Sequence, residues 1–561
     1  MDTRRTILWM IFSFSLLFLW NNWQVHNGNP SLFGGTPVQQ ESSGQATATN
    51  TAENSEAGVP AITADPGAVP ATTQASSTQA GSTQASAEPV VITTDVLRLT
   101  FDPVGARIVK AELLKYEAVD DANQPVVLLD NSPGLVYTAE SGAVGVQGSS
   151  FPTHRTPFQV VSQARELSGD AIDVTFEATS GGVKLVKTYT LHRGSYDVHV
   201  RHDLTNVDGA AKPVSVYLQL TRDGNAPAGE STFYSTFTGP AVYTDADKFQ
   251  KVSFSDIEKG KASYATTANN GWIAMIQHYF VTAWVPPQGV QRTNAMVPLG
   301  NNLYAVRSIE PVGTLQPNES QSVTAQLWIG PQDQDALNAV APGLDLVVDY
   351  GWLTVIAKPL FSLMTWLHGI LGNWGWTIVA LTVIIKLVFF PLSAASYRSM
   401  ARMKQVAPRL TALREKFGDD KQKMNAAMME MYRTEKINPL GGCLPIAVQI
   451  PVFISLYWVL LASVEMRGAP WIGWITDLSV RDPWFILPAI MMATMFLQIK
   501  LNPTPPDPMQ AKVMMIMPLV FGGMMFFFPS GLVLYWVVNN ALSIAQQWYI
   551  TRKIANEPVK A

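Results

Sequence analysis

Apolar and polar positions divide the chain into three kinds of pattern. From about Val90 to Ile329 the period is two: Val96 to Phe101, Ala171 to Phe176, Val183 to Thr190, Tyr196 to Leu204, Pro213 to Leu220 and Val323 to Ile329 alternate, with turn residues such as Ser180-Gly181-Gly182 and Arg193-Gly194-Ser195 between them. Short alternating runs punctuated by turns predict an antiparallel β-sandwich over residues 90–340, large enough to hold its own core. Toward the end, long apolar runs take over: Asn373 to Leu392, Cys443 to Val464, Trp484 to Gln498, Val513 to Phe528 and Leu532 to Ile550. These read as membrane-spanning helices. Residues 27–89 have no period at all. Their Ser, Thr, Ala, Gln, Gly and Pro cannot bury a core, which predicts a flexible tether with no function of its own.

Smaller patterns fill the gaps. Arg4 and Arg5 precede the apolar Ile7 to Trp20, and no A-x-A cleavage pattern follows closely. With Trp20 and Trp23 suited to an interfacial belt, residues 1–26 read as an uncleaved anchor rather than a signal peptide. Lys358 to Gly372 looks too interrupted to span, yet Leu360, Leu363, Met364, Leu367 and Leu371 share one helical face. That stripe predicts an interfacial helix over 357–372, with packing against the sandwich as the competing reading. Within 393–440, Met400, Met403, Val406, Leu410, Leu413 and Phe417 step by threes and fours, and Met424, Ala427, Met428 and Met431 do so again. Gly418 is placed to end the first helix and Asp419 or Asp420 to cap the second, giving a helical hairpin.

Charge orients these elements. Residues 393–440 carry ten basic side chains against five acidic ones, which marks the hairpin as cytoplasmic. Its basic face, with Arg398, Arg402 and Lys404, suits anionic headgroups, ribosomal RNA or an acidic client. Met424 and Met428 either adapt to varied apolar segments or simply seal the two helices together. The loop holding Glu465, Arg467, Asp477, Arg481 and Asp482 is not basic and belongs outside, as does the turn Pro529-Ser530-Gly531. Lys500 to Lys512 is a proline-rich cytoplasmic turn, and the tail 551–561 carries Arg552, Lys553 and Lys560. The expected fold class is therefore a polytopic α-helical membrane protein: six transmembrane helices, both termini cytoplasmic, and the all-β domain inserted outside between the first two. A mean hydropathy of +0.11 with only 15% charged residues agrees, and a single cysteine, Cys443, excludes an intramolecular disulfide.

The candidate chemistry is one charge. Lys386 lies within an apolar run, where an ammonium costs about 2.5 to 3.5 kcal/mol on insertion scales. Two readings stand: its stem snorkels to the nearby interface, or it faces a wet cavity. No Asp or Glu lies within any span, whereas Gln449, Tyr457, Gln498, Tyr535, Asn539 and Asn540 do, and buried amides also seek company. In the sandwich, His192, His199 and His202 cluster in sequence, but residues three apart on a strand face opposite sides, so they read as solvated rather than as a metal site. Gly142, Gly145 and Gly148 lack a following helix and lysine; no G-x-S-x-G, H-E-x-x-H or P-loop pattern occurs. The chain reads as a non-enzyme without cofactor or metal.

Four ordered motifs, Asn438-Pro-Leu-Gly-Gly-Cys-Leu-Pro445, Lys386-Leu-Val-Phe-Phe-Pro-Leu392, Asp507-Pro-Met-Gln510 and Phe528-Pro-Ser-Gly-Leu-Val-Leu-Tyr-Trp536, closely resemble the YidC/Oxa/Alb insertase family in its Gram-negative form, over nearly the whole chain. The resemblance implies a bacterial inner-membrane insertase and chaperone with a five-helix core, a large periplasmic domain and a hydrophilic groove open to cytoplasm and lipid. It implies nascent integral membrane proteins as clients and work alone or with the Sec translocon and its accessory subunits; membrane lipids and the ribosome stand as candidate partners of the basic hairpin. The family usually places an arginine where Lys386 stands, so the planar fork of donors is lost here. Thr382, Tyr535 and Trp536 match positions tied to the groove; with Gln449, Gln498 and Asn539 they complete the expected client-binding set. Two other classes remain: a secondary transporter with a midplane cationic site, and an anchored periplasmic protein binding sugar or peptidoglycan.

Overall fold

The computed structural model describes residues 58–60, 88–118, 121, 123–146, 148–227, 236–417, 421–434, 444–501 and 508–555. The expected anchor 1–26, most of the tether, Gly418 to Asp420, Lys436, Asn438 to Cys443, Asp507 and Lys560 lie outside them. The chain forms two compact units, one covering 24–348 and the other containing 349–561.

The first unit pairs two nine-stranded antiparallel sheets. One sheet runs from Val90–Thr93 at an edge, through Leu135–Val144, Lys212–Asp223 and Leu303–Leu315, to Thr267–Ala268; the other runs from Lys248–Lys251, through Trp272–Gln277, Phe280–Val285, Ser320–Pro331 and Asp197–Asn206, to Gln159–Val160. Every alternating run falls on a strand, the first on Leu97–Asp102 and the second on Ala171–Ser180. The strand Val183–His192 shows why. Its positions alternate between buried and half-buried, so Val183, Leu185, Tyr189 and Leu191 enter the core, and the same phase carries Lys187 in with them.

That buried lysine is held from within. Its ammonium donates to the Gly105 and Ser141 carbonyls at 2.7 Å each and lies 4.8 Å above the Phe158 ring. Burial pushes it down to about 7, while the charge of Glu140 works the other way. Glu140 in turn accepts from Thr138, Gln219 and Thr221 at 2.8–2.9 Å. His202 belongs to the same interior: it is buried, its Nε2 lies 2.8 Å from the Ser141 hydroxyl, and burial beside Lys187 pushes its imidazole down to about 3. The expectation of a solvated His202 is thereby corrected, because its strand turns that position inward. His199 faces the other way, with its ring 5.4 Å from that of His192. Among the described residues no group of His, Cys, Asp or Glu could hold a metal ion.

The second unit is helical: α1 Thr354–Leu371, α2 Trp374–Val388, α3 Phe390–Phe417, α4 Lys421–Thr434, α5 Leu444–Ala462, α6 Ile486–Leu501, α7 Pro508–Met524 and α8 Ser530–Ala555. Helix α8 packs against α2, α3 and α6; α1 lies against α2 and α5, and α3 contacts α4. Helix α1 is continuous over 18 residues with a mean hydropathy of 1.3, long and apolar enough to cross a membrane, where the sequence suggested interruptions. Met364 and Leu367 are buried while Val355, Trp366 and Ile370 are exposed. The expected single span Asn373 to Leu392 is in fact broken: α2 ends at Val388 and α3 leaves it at 66°. Pro391 explains the break, since it has no N–H for the carbonyl four residues back and favours a helix start.

The loops between helices are pinned by side chains. Asn373 caps α2, its oxygen accepting from the Trp376 N–H at 3.0 Å. Buried Asp482 accepts from Trp474 Nε1, the Trp484 N–H and the Leu487 N–H at 2.7–3.0 Å, which anchors the start of α6. Ser530 opens α8 with its hydroxyl bonded to the Asp477 and Val480 carbonyls, so this turn is locked against the 463–485 loop.

Candidate functional site

Within the helical unit, a cavity of about 470 Å³ opens between α2, α3, α5, α6, α7 and α8. Lys386, in the last turn of α2, lines it and is only 6% exposed, although its neighbours Leu387 and Val388 are 64% and 68% exposed. The side chain therefore points inward, not along the helix surface. Its Nζ donates to the Ser543 hydroxyl at 2.7 Å, and that hydroxyl donates to the Asn539 carbonyl one turn earlier at 2.7 Å. An ammonium has three N–H groups. Among the described residues the other two meet no protein acceptor, and no Asp or Glu lines the cavity.

The remaining lining divides into amides and an apolar wall. Gln449 on α5 donates to the Asn539 side chain on α8 at 2.8 Å, tying two walls together. Gln498, Asn540, Ser393, Ser396 and Tyr397 add polar groups. On the same helices, the Trp536 ring sits 4.5 Å from Phe453 and 5.3 Å from Phe521, and Met400, Met495, Met514 and Met517 add apolar lining. Trp536 Nε1 is buried without a hydrogen-bond partner among the described residues. The cavity thus offers groups that attract anionic and polar guests and groups that accept apolar ones.

Of the residues picked out from sequence, Lys386, Gln449, Gln498, Tyr535, Trp536 and Asn539 come together here. Thr382 does not line the cavity: it is buried, and its hydroxyl donates to the Ile378 carbonyl of its own helix at 2.7 Å. Arg398 is exposed on α3, and Met424 and Met428 are half-buried on α4; the side chains of Arg402 and Lys404 lie outside the described residues. Sequence reasoning passed over Ser543, Ser393, Ser396 and Tyr397. The signal for Ser543 was present, since Asn539, Asn540, Ser543, Gln546 and Gln547 form a polar stripe at helical spacing on an otherwise apolar run.

Comparison with known proteins decides the family. Residues 89–363 match the model of the YidC periplasmic domain and residues 366–557 that of the 60Kd inner membrane protein. The chain is 69% identical to the membrane protein insertase YidC of Bordetella parapertussis, with all of both chains covered. This chain belongs to the YidC family of membrane protein insertases. It is also 54% identical to the family member from Cupriavidus metallidurans, over 99% of this chain and 98% of that one. A solved structure of an active YidC insertase, with its first transmembrane domain resolved, aligns over 83% of this chain at 18% identity with a TM-score of 0.40. The division into a periplasmic β-sandwich and a helical inner-membrane region follows from the family.

Proposed function

We propose that this inner-membrane insertase takes nascent membrane proteins into the Lys386 cavity, using the free ammonium donors for acidic or polar tails and the Trp536 wall for apolar segments. The observation that carries this reading is the buried lysine held by one hydroxyl beside open, carboxylate-free space. A polar tail crossing hydrocarbon loses its hydration, and a polar recess part-way across shortens that barrier. The client's own apolar span then slides past α8 and α5 into lipid, where each buried CH₂ returns about 0.8 kcal/mol. The membrane potential adds to this drive.

In this proposal the chain crosses the membrane six times with both termini in the cytoplasm. The anchor and the broken α2–α3 pair are the first two spans, and α1 lies in the interface with its exposed Val355, Trp366 and Ile370 toward lipid. Helices α3 and α4 extend into the cytoplasm as a basic hairpin, where Arg398, Arg402 and Lys404 meet headgroups or the ribosome. The Sec translocon is a second working partner. A photoreactive probe at Trp536 is expected to capture a ribosome-stalled membrane-protein client in native vesicles far more than one at Val355 on α1. Equal capture at the two positions would sink the cavity reading, and weak capture at Thr382 is expected because that side chain is buried against its neighbours.

A further inference from the structure

Three residues of the tether are seated in the sandwich. Gly58 and Pro60 are buried, with Val59 half-buried between them, within a stretch whose composition alone gives no reason for order. Gly58 lies against His154 and Leu299: a β-carbon on it would sit 3.5 Å from His154 Nε2 and 3.8 Å from Leu299 Cδ1. Its φ of +97° is open to glycine but strained for any side chain.

The floor beneath is tied by hydrogen bonds. His154 is 5% exposed; its Nδ1 lies 2.6 Å from the Tyr217 hydroxyl, which also accepts from the His154 backbone N–H at 2.9 Å. His154 Nε2 lies 4.0 Å from Glu140, itself fixed by Thr138, Gln219 and Thr221. Gly105 lets the two backbones close up, since a β-carbon there would fall 2.1 Å from the His154 carbonyl oxygen. A floor held in this way has little to reorder when a peptide segment docks on it.

The sequence supplies a decoy that argues for selectivity. Val-Pro-Ala occurs twice in the tether, at 59–61 and 69–71, but Ala68 stands where the first copy has Gly58. Only the first copy can adopt the left-handed turn without strain.

We propose that the sandwich carries a peptide-recognition pocket, floored by His154 and walled by Leu299, that reads a Gly-Val-Pro segment and is occupied by residues 58–60 of the same chain. Docking there leaves residues 27–57 rather than 27–89 to link the first span to the domain, about halving the reach of the tether. The length of the leash on the first span is then set by a short motif rather than by the whole linker.

The test uses the full-length protein in lipid nanodiscs with a photocrosslinking amino acid at Leu299. Crosslinks are expected to map to residues 57–61. Gly58→Ala should lower their yield by about tenfold or more, the population shift that left-handed strain imposes. In the Gly58→Ala background, Ala68→Gly should restore crosslinking at 67–71. Crosslinks scattered along the tether, or a yield indifferent to Gly58→Ala, would overturn the proposal. As an independent readout, replacing residues 54–64 with Gly-Ser repeats should raise deuterium uptake at 153–156, and a synthetic peptide of Asn54–Ala64 should reverse this saturably. Unchanged uptake would contradict the pocket as surely as missing crosslinks.

Discussion

Each unit of this protein buries a lysine, and the two are buried for opposite reasons. Lys187 in the sandwich is closed in: two carbonyls accept hydrogen bonds from its ammonium, Phe158 covers it, and the nearby charge of Glu140 favours it. Lys386 in the helical unit has one hydroxyl, Ser543, and a cavity of about 470 Å³ beside it. Burial alone therefore does not mark a functional charge. What marks it is the number of donors the fold leaves unused and the presence of space for a guest.

The comparison breaks most readily by removing each charge. Lys187→Met strands two carbonyls, while Glu140 keeps Arg107 at 3.6 Å, so it should cost the folded sandwich about 1 to 3 kcal/mol, measured by denaturant unfolding. Lys386→Met should lower stability by less than about 1 kcal/mol, because little in the fold depends on it. Equal destabilisation of the two variants would erase the distinction.

A pH series sharpens the same contrast. The folded Lys187 titrates near 7 and the unfolded one near 10.5, so between those values the unfolded chain holds the extra proton. Stability of the sandwich should then rise with pH from about 7 to 9.5, below the range where tyrosines ionise, and the slope should flatten in Lys187→Met. A wild-type slope matching that of Lys187→Met would count against the closed-lysine account.

Smaller effects come from the supports. Ser543→Ala removes the one hydroxyl that aims the Lys386 ammonium, and a single hydrogen bond of about 1 kcal/mol predicts a twofold to fivefold loss in insertion rate for acidic-tailed clients, with little change in melting temperature. Deleting residues 90–329 should change insertion of Sec-independent clients least of all, less than about twofold in reconstituted vesicles. Complete loss in that deletion would move function into the sandwich.

Much of this architecture was legible, and the failures have physical causes. Val183–His192 could be read because one face is core and the other is not, whereas Trp272–Gln277 and Phe280–Val285 are buried at every position and so carry no alternation. The bend after Val388 hid inside an apolar run, with Pro391 its only sign. Lys386 announced itself as a charge among apolar residues, but its partner Ser543 is 157 positions away and is chosen by packing. Thr382 shares the helix face of Lys386 at the i, i+4 spacing, yet its hydroxyl turns to its own backbone, a choice that spacing cannot report. Gly58 to Pro60 was too short to show any period.

The central claim is that Lys386 offers its spare donors to the client. Insertion of two clients, identical except for an acidic or a basic translocated tail, should be measured in vesicles carrying wild type, Lys386→Arg or Lys386→Glu. The account predicts that Lys386→Arg behaves as wild type, and that Lys386→Glu slows the acidic-tailed client about tenfold or more while sparing the basic-tailed one. Equal insertion of the acidic-tailed client by wild type and Lys386→Glu would contradict it.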